Sequence, residues 1–329
     1  MKFLCVRTDF LGDGVLTSPF IKMLTTTTNA SIDFLCDDYN YHAFEYNPNI
    51  NKIYCLKKTG KNLCVSNEAI QKELNLSIYT AIFLLNRDRE TYAFINNIPT
   101  KYIFAYELGR KSIRSLTYTF TSKLNTKYKY IHYDNSIHEV INAYNLLKNG
   151  LKYLNLVNMQ QLNTKCYFYS TNFNPEISIK RDESTIVLNI SGKFESNRYI
   201  PTSLAICIVA GVIKLNKKVL LVTSEVDKQR AQDIIEYIND SSSISLCCEQ
   251  NLYTVTDKIG KYKYFIGADG GLLHIAAGLQ MHCIGLFHSQ NIHAWRPWSD
   301  TQVCLQTHTK RLYDINPSDI FNCILSSAV

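Results

Sequence analysis

No stretch of about 18 consecutive apolar residues occurs in this 329-residue chain, which excludes a helix that crosses a membrane. The opening Met1-Lys2-Phe3-Leu4-Cys5-Val6-Arg7-Thr8-Asp9 becomes charged too soon for a secretory signal and reads instead as a first strand. The eleven cysteines include no C-x-x-C pair, and no His/Cys cluster has zinc spacing. Only Cys247 and Cys248 are neighbours, so neither a disulfide framework nor a metal site is expected. Thiols scattered through strand-like segments fit burial in a reducing compartment, the cytoplasm. A repeat of solenoid period is also missing. What remains, 46% hydrophobic and 19% charged residues, describes a globular chain long enough for two cores.

The formal net charge of +7 is unevenly placed. Residues 1–150 hold 18 Lys and Arg against 13 Asp and Glu, and residues 101–129 alone hold seven against one. That basic stretch points to an anionic partner; no recognition motif for nucleic acid accompanies it.

Apolar runs at 3–6, 32–36, 52–56, 81–85 and 101–105 read as strands separated by helices or loops. The alternation restarts with strands at 185–191, 218–223 and 243–247 and helices at 201–212 and 227–237. This is the pattern of βα units around parallel sheets, hence an α/β fold. The polar stretch 162–175 is the candidate linker, giving domains 1–165 and 166–329. After the first strand, Gly12 and Gly14 permit a close turn, and Val15 onward supplies a helix with Pro19 near its first turns. Residues 138–150 place Val140, Ile141, Tyr144 and Leu147 on one helical face, and the helix is expected to stop at Gly150. His138 at its start reads by default as a surface or capping residue.

The most informative stretch is Tyr264-Phe-Ile-Gly-Ala-Asp-Gly-Gly-Leu-Leu-His-Ile-Ala-Ala-Gly-Leu279. Strand residues run into Asp269-Gly270-Gly271, and Leu272 onward has helical composition. Strand, glycine turn and helix start form a natural phosphate site. The first helical N–H groups lack partners, the dipole is positive there, and glycines let a ligand approach the backbone. Asp269 can cap the helix or hold a polar ligand group, and His274 lies about one turn in. A strand at 283–287 and the cluster Trp295-Arg296-Pro297-Trp298 follow.

Together these elements resemble the C-terminal signature of glycosyltransferase family 9, the ADP-heptose:lipopolysaccharide heptosyltransferase family, which usually reads Asp-Thr-Gly-Leu-x-His before an alanine-rich helix. Gly270 departs from it, standing where threonine or serine is common. The N-terminal loop resembles the family's Arg-x-Asp-x-x-Gly-Asp-x-x-x-Thr-x-Pro at Arg7, Asp9, Gly12, Asp13, Thr17 and Pro19. In the loop after the strand at 185–191, Arg198 fits the family pattern, whereas Asn197 stands where a phosphate-contacting lysine is usual. Lys193 and Arg198 are the candidates to replace its charge.

The resemblance implies a GT-B architecture, two Rossmann-like βα domains facing a central cleft. It assigns acceptor binding to residues 1–165 and nucleotide-sugar binding to residues 166–329. It implies metal-independent, inverting transfer of heptose from ADP-heptose to an inner-core lipopolysaccharide sugar, with no cofactor. Such chemistry needs a base for the acceptor hydroxyl and positive charge for the leaving diphosphate. The family's base aligns on Asp13, and an aspartate is ionised at neutral pH. Lys193, Arg198, Asp269, Gly270, Gly271, Leu272 and His274 are the expected donor contacts. Arg110 and Arg114, in the basic stretch, are the expected contacts of an anionic glycolipid acceptor, and the lysines around them favour a peripheral position on the inner membrane. His138 belongs to a helix that family members carry late in the first domain, near the acceptor. Three other readings compete, in this order: a nucleotide-sugar epimerase of the same architecture; a degenerate nucleotide-sugar-binding protein, motivated by Asn197 and Gly270; and nucleic-acid binding through residues 101–129.

Overall fold

A computed structural model describes residues 1–59, 62–63, 67–107, 127–156, 165–193, 197–288, 291–307, 309 and 311–326. The chain divides into two compact units, Met1–Asn163 and Thr164–Val329.

The first unit runs β1 (Lys2–Val6), α1 (Leu11–Thr28), β2 (Ser31–Asp37), β3 (Lys52–Leu56), a short antiparallel hairpin of β4 (Lys58–Thr59) and β5 (Asn62–Leu63), and α2 (Glu68–Leu76). It continues through β6 (Ala81–Leu84), α3 (Arg89–Asn96), β7 (Ile103–Tyr106), β8 (Tyr128–Ile131) and α4 (Glu139–Tyr153). Six strands pair in parallel in the order β3-β2-β1-β6-β7-β8. The strands are apolar on both faces, as a sheet covered on both sides requires. Leu4 and Val6 meet Leu35, Ile82 and Leu84 on one face. On the other, the Phe83 ring contacts Phe3, Phe20 and Phe104 at centroid distances of 5.6, 5.4 and 5.2 Å.

The second unit repeats the plan. It contains β9 (Asp182–Asn189), α5 (Thr202–Lys214), β10 (Lys218–Val222), α6 (Lys228–Ile238), β11 (Ile244–Cys247) and α7 (Leu252–Ile259). Then come β12 (Tyr262–Ala268), α8 (Gly271–Gly278), β13 (His282–Phe287), α9 (Ile292–Trp295), β14 (Gln302–Gln306) and α10 (Pro317–Ser326). The sheet order is β11-β10-β9-β12-β13-β14, again all parallel. Ile186 and Leu188 of β9 pack with Leu204, Ala205 and Ile208 of α5 in its core. No described helix is long and apolar enough to cross a membrane.

In sequence terms both sheets have the order 3-2-1-4-5-6. The winding direction therefore reverses beside the first strand of each, between β1 and β6 and between β9 and β12. Ligands of such sheets bind at that reversal, outside the carboxyl ends of the strands.

Several boundaries differ from the sequence expectation. Helix α1 begins at Leu11, so Gly12, Asp13 and Gly14 form its first turn and Pro19 sits in its interior. Proline has no N–H for the Val15 carbonyl, and the Ser18 hydroxyl donates to that carbonyl instead at 2.6 Å. Helix α4 runs through Gly150 to Tyr153. There a Cβ would lie 2.5 Å from the Phe83 ring, so that glycine serves close packing on the sheet rather than a stop. From Lys165 onward the expected linker is docked: Phe168 is fully buried and donates its N–H to the Gly278 carbonyl at 3.0 Å. Strands β8 and β14 and helices α7 and α10 had no counterpart in the sequence reading.

Candidate functional site

At the reversal point of the first unit, the end of β1 leads into Arg7, the following loop delivers Asp9, and the first turn of α1 delivers Asp13. Arg7 is buried, and its backbone is pinned by its N–H donating to the Leu35 carbonyl and its carbonyl accepting from Asn40 Nδ2, both 3.0 Å. Its guanidinium is surrounded by three carboxylates. Nη1 donates to Glu139 Oε1 at 2.6 Å and Nη2 to Asp13 Oδ1 at 3.3 Å. Nε lies 2.9 Å from Asp9 Oδ2 without the alignment of a hydrogen bond. Burial opposes the charge on Arg7, but the carboxylates outweigh it and hold the guanidinium protonated.

Asp13 is the third residue of α1, and Asp13 Oδ2 accepts the Phe10 N–H at 3.2 Å. Its carboxylate is thus fixed from two sides, with the side chain 13% exposed. Asp9 is held by Asn86, the second residue after β6, whose Nδ2 donates to Asp9 Oδ1 at 2.6 Å while its Oδ1 accepts the Thr8 N–H at 2.8 Å. Burial, together with Asp13, Asp88 and Glu139 against the pull of Arg7, pushes the Asp9 carboxyl up to about 6. Glu139 opens α4, where its Oε2 accepts the Tyr133 hydroxyl at 2.5 Å. Burial raises the Glu139 carboxyl, but Arg7 and Tyr133 prevail and hold it below the usual range. The Arg87 guanidinium lies 3.5 Å over the Tyr133 ring. His138 is buried and caps α4, its Nδ1 accepting the Val140 N–H at 3.2 Å.

At the reversal point of the second unit, β12 ends at Ala268 and α8 starts at Gly271. Of the two roles open to Asp269, helix cap or holder of a polar ligand group, the cap is not formed. The N-cap is Gly270 in extended backbone, and Asp269 Oδ2 instead accepts from Arg198 Nη1 at 3.2 Å. Asp269 is only 7% exposed at its side chain against 36% for Arg198. The loop between β9 and α5 is therefore tied to the turn before α8, with a cation beside the positive end of that helix. Arg198 also bridges to Lys193, donating its N–H to the Lys193 carbonyl at 3.0 Å. Gly192 makes this close return feasible, because a Cβ there would lie 1.7 Å from the Arg198 carbonyl oxygen. Lys193 is exposed. Asn197 has φ 54°, a left-handed conformation that asparagine tolerates better than lysine does.

His274 is 5% exposed, and its Nδ1 has no hydrogen-bond partner. Burial lowers its pKa, opposed by Asp269, so the ring is neutral at neutral pH. It can offer a hydrogen bond rather than a charge. Around the ends of β9 and β10, the Ser191 hydroxyl lies 3.2 Å from that of Thr223 and accepts the Ser224 N–H at 2.8 Å.

Of the residues expected from sequence, the structure groups Asp13 with Arg7 and Asp9. It groups Arg198, Lys193, Asp269, Gly270, Gly271, Leu272 and His274 at the second reversal. Arg110 and Arg114 lie outside the described residues. Sequence reading missed Glu139, Tyr133, Asn86 and Arg87. Glu139 directly follows His138, and nothing local reveals its reach to an arginine 132 positions away. Among the described residues no group of three or more His, Cys, Asp or Glu side chains could hold a metal ion.

Residues 208–325 match the family model of glycosyltransferase family 9 (heptosyltransferase). No curated protein matches by sequence. Among solved structures, E. coli heptosyltransferase WaaC with ADP is similar at TM-score 0.77 and 14% identity, with 99% of each chain covered. The family 9 glycosyltransferase from Veillonella parvula gives 0.77 and 16%, covering 99% of this chain and 97% of its own. E. coli ADP-heptose lps heptosyltransferase II gives 0.74 and 15%, with 100% of both covered. The fold shared over these full lengths is GT-B, built from two Rossmann-like units.

Proposed function

We propose that this chain, a glycosyltransferase of family 9 by the match over residues 208–325, moves a heptose from ADP-heptose to a sugar of the lipopolysaccharide inner core. Asp13 is the general base of this reading. The observation that carries it is the Asp13 carboxylate, held between Arg7 and the Phe10 N–H at the reversal point of a parallel sheet. A base so oriented takes the proton of the acceptor hydroxyl as its oxygen attacks the anomeric carbon. The bond from that carbon to the diphosphate breaks, and negative charge develops on the leaving group.

The second unit supplies the donor contacts. The N–H groups at Gly271 and Leu272, together with Arg198, face developing negative charge with fixed dipoles and a cation. His274 adds a neutral hydrogen bond, and Lys193 a further charge. The solved structures of WaaC with ADP and of an ADP-heptose-dependent transferase favour ADP-heptose as donor here. The first unit then serves the acceptor, through Arg110 and Arg114 in the basic stretch. The enzyme works in the cytoplasm against the anionic face of the inner membrane.

The test is Asp13→Asn in the full chain, with ADP release measured from ADP-heptose with and without inner-core acceptor. Turnover should fall about 10²–10⁴-fold with donor affinity unchanged. Wild-type turnover in this variant removes Asp13 as base. Release of free or isomerised sugar without acceptor would identify an epimerase, and ADP binding without turnover a binding protein. In calorimetric titrations, Asp269→Ala and His274→Ala should weaken ADP binding while leaving Tm near wild type. Unchanged affinity with a large loss of stability would make both residues structural.

A further inference from the structure

The geometry points to Glu139 as a positioning residue for the base: it holds Arg7, and Arg7 holds Asp13. This inference rests on the reading of Asp13 given above. Three contacts form a continuous chain: Tyr133 Oη to Glu139 Oε2 at 2.5 Å, Glu139 Oε1 to Arg7 Nη1 at 2.6 Å, and Arg7 Nη2 to Asp13 Oδ1 at 3.3 Å. The lengths are graded. The tight bonds lie on the Glu139 side, and the loosest is the one to Asp13.

That gradation has a chemical consequence. An arginine given wholly to Asp13 would neutralise the carboxylate that must accept a proton. Glu139 takes the stronger share of the guanidinium and leaves Asp13 oriented but less tightly paired. Its own orientation is fixed in turn by Tyr133, whose ring lies under Arg87. Burying an unpaired charge is costly, so a buried pair that loses one partner is worse off than no pair at all. Arg7 and Glu139 are both almost fully buried, so each is stable there only with its partners in place. The groups facing this pair are Asp9 from the loop after β1, Asp13 from the first turn of α1, Arg87 and Asp88 after β6, Tyr106 from β7, and Tyr133 after β8.

The experiment compares full-length wild type with E139Q, Y133F and D13N, measuring ADP release from ADP-heptose and inner-core acceptor across pH. E139Q removes the competing anion, so Arg7 turns fully to Asp13 and Asp9. The expected result is a fall in kcat of about 10²-fold, as for a misplaced reacting group, with donor and acceptor KM little changed. The acid limb of the kcat profile should also move to lower pH, because a fully paired Asp13 is less basic. Y133F keeps the charge of Glu139 and should give a smaller fall in the same direction; it decides the question if E139Q does not fold. A folded variant with wild-type kcat and acid limb overturns the proposal. So does a fall in activity that tracks lost stability with the acid limb unmoved. If D13N itself retains turnover, the base assignment fails first; if D13N is inactive while E139Q and Y133F behave as wild type, only the positioning role fails.

Discussion

Asn197 is the departure from the family pattern that bears most directly on the proposed donor site. Its φ of 54° closes the turn that brings Arg198 back beside Lys193. A lysine in that conformation carries a strain of roughly 1 kcal/mol, whereas glycine carries none. Asn197→Lys should therefore lower Tm and fail to tighten ADP binding in a calorimetric titration, and Asn197→Gly should leave both near wild type. On the proposed reading the phosphate-facing charge then belongs to Arg198, which Asp269 holds at the start of α8. Tighter ADP binding by Asn197→Lys would instead show that the family's usual lysine position is still open in this loop.

At the level of elements, α1 carries the proposed base, Asp13, on its first turn and a proline in its interior. There the Ser18 hydroxyl supplies the Val15 carbonyl with the donor that Pro19 lacks. Ser18→Ala leaves the Val15 carbonyl unsatisfied in a buried helix and should cost about 1–3 kcal/mol, read as a lower midpoint in urea. Asp13 is anchored separately through Phe10, so kcat per folded molecule should stay near wild type. Loss of kcat without loss of stability would mean that the helix interior sets the position of the base. Helix α4 shows the matching case from the other direction. Its glycine, expected as a terminator, allows the helix to lie against Phe83 and Phe104, and the close fit brings Glu139 at its other end to Arg7.

For the molecule as a whole, the Arg7 cluster makes stability depend on pH in two opposing ways. Glu139 has a depressed carboxyl, so its contribution is present above the ordinary glutamate range near 4.3 and is lost as pH falls through its folded value. Asp9 acts oppositely. With its folded carboxyl near 6 against an ordinary 3.8, the folded state binds the proton more tightly, and Asp9 lowers stability as pH rises from about 4 to about 6. Asp9→Asn, which keeps an oxygen for Asn86, should raise Tm at pH 7, and its advantage should vanish below about pH 4. A Tm at pH 7 below that of wild type would mean that the Arg7 pairing outweighs burial at this position.

The amino-acid sequence by itself determined the two βα units, since parallel strands buried on both faces must be apolar throughout and separated by helices. It also marked both loops that reach the reversal points, because glycines, the Asp13 motif and Asp269-Gly270-Gly271 are local in the chain. Only the tertiary structure decided which charges meet. Arg7 and Glu139 are 132 positions apart, and Arg198 and Asp269 are 71 apart. No periodicity links such residues; their pairing follows from the order in which the strands lie side by side. Edge strands such as β14, with glutamines at both ends, likewise carry too weak a pattern to be read until their neighbour is known. Burial is the physical reason in each case. It makes an unpaired charge too costly to keep, and folding alone determines which distant residue becomes the partner.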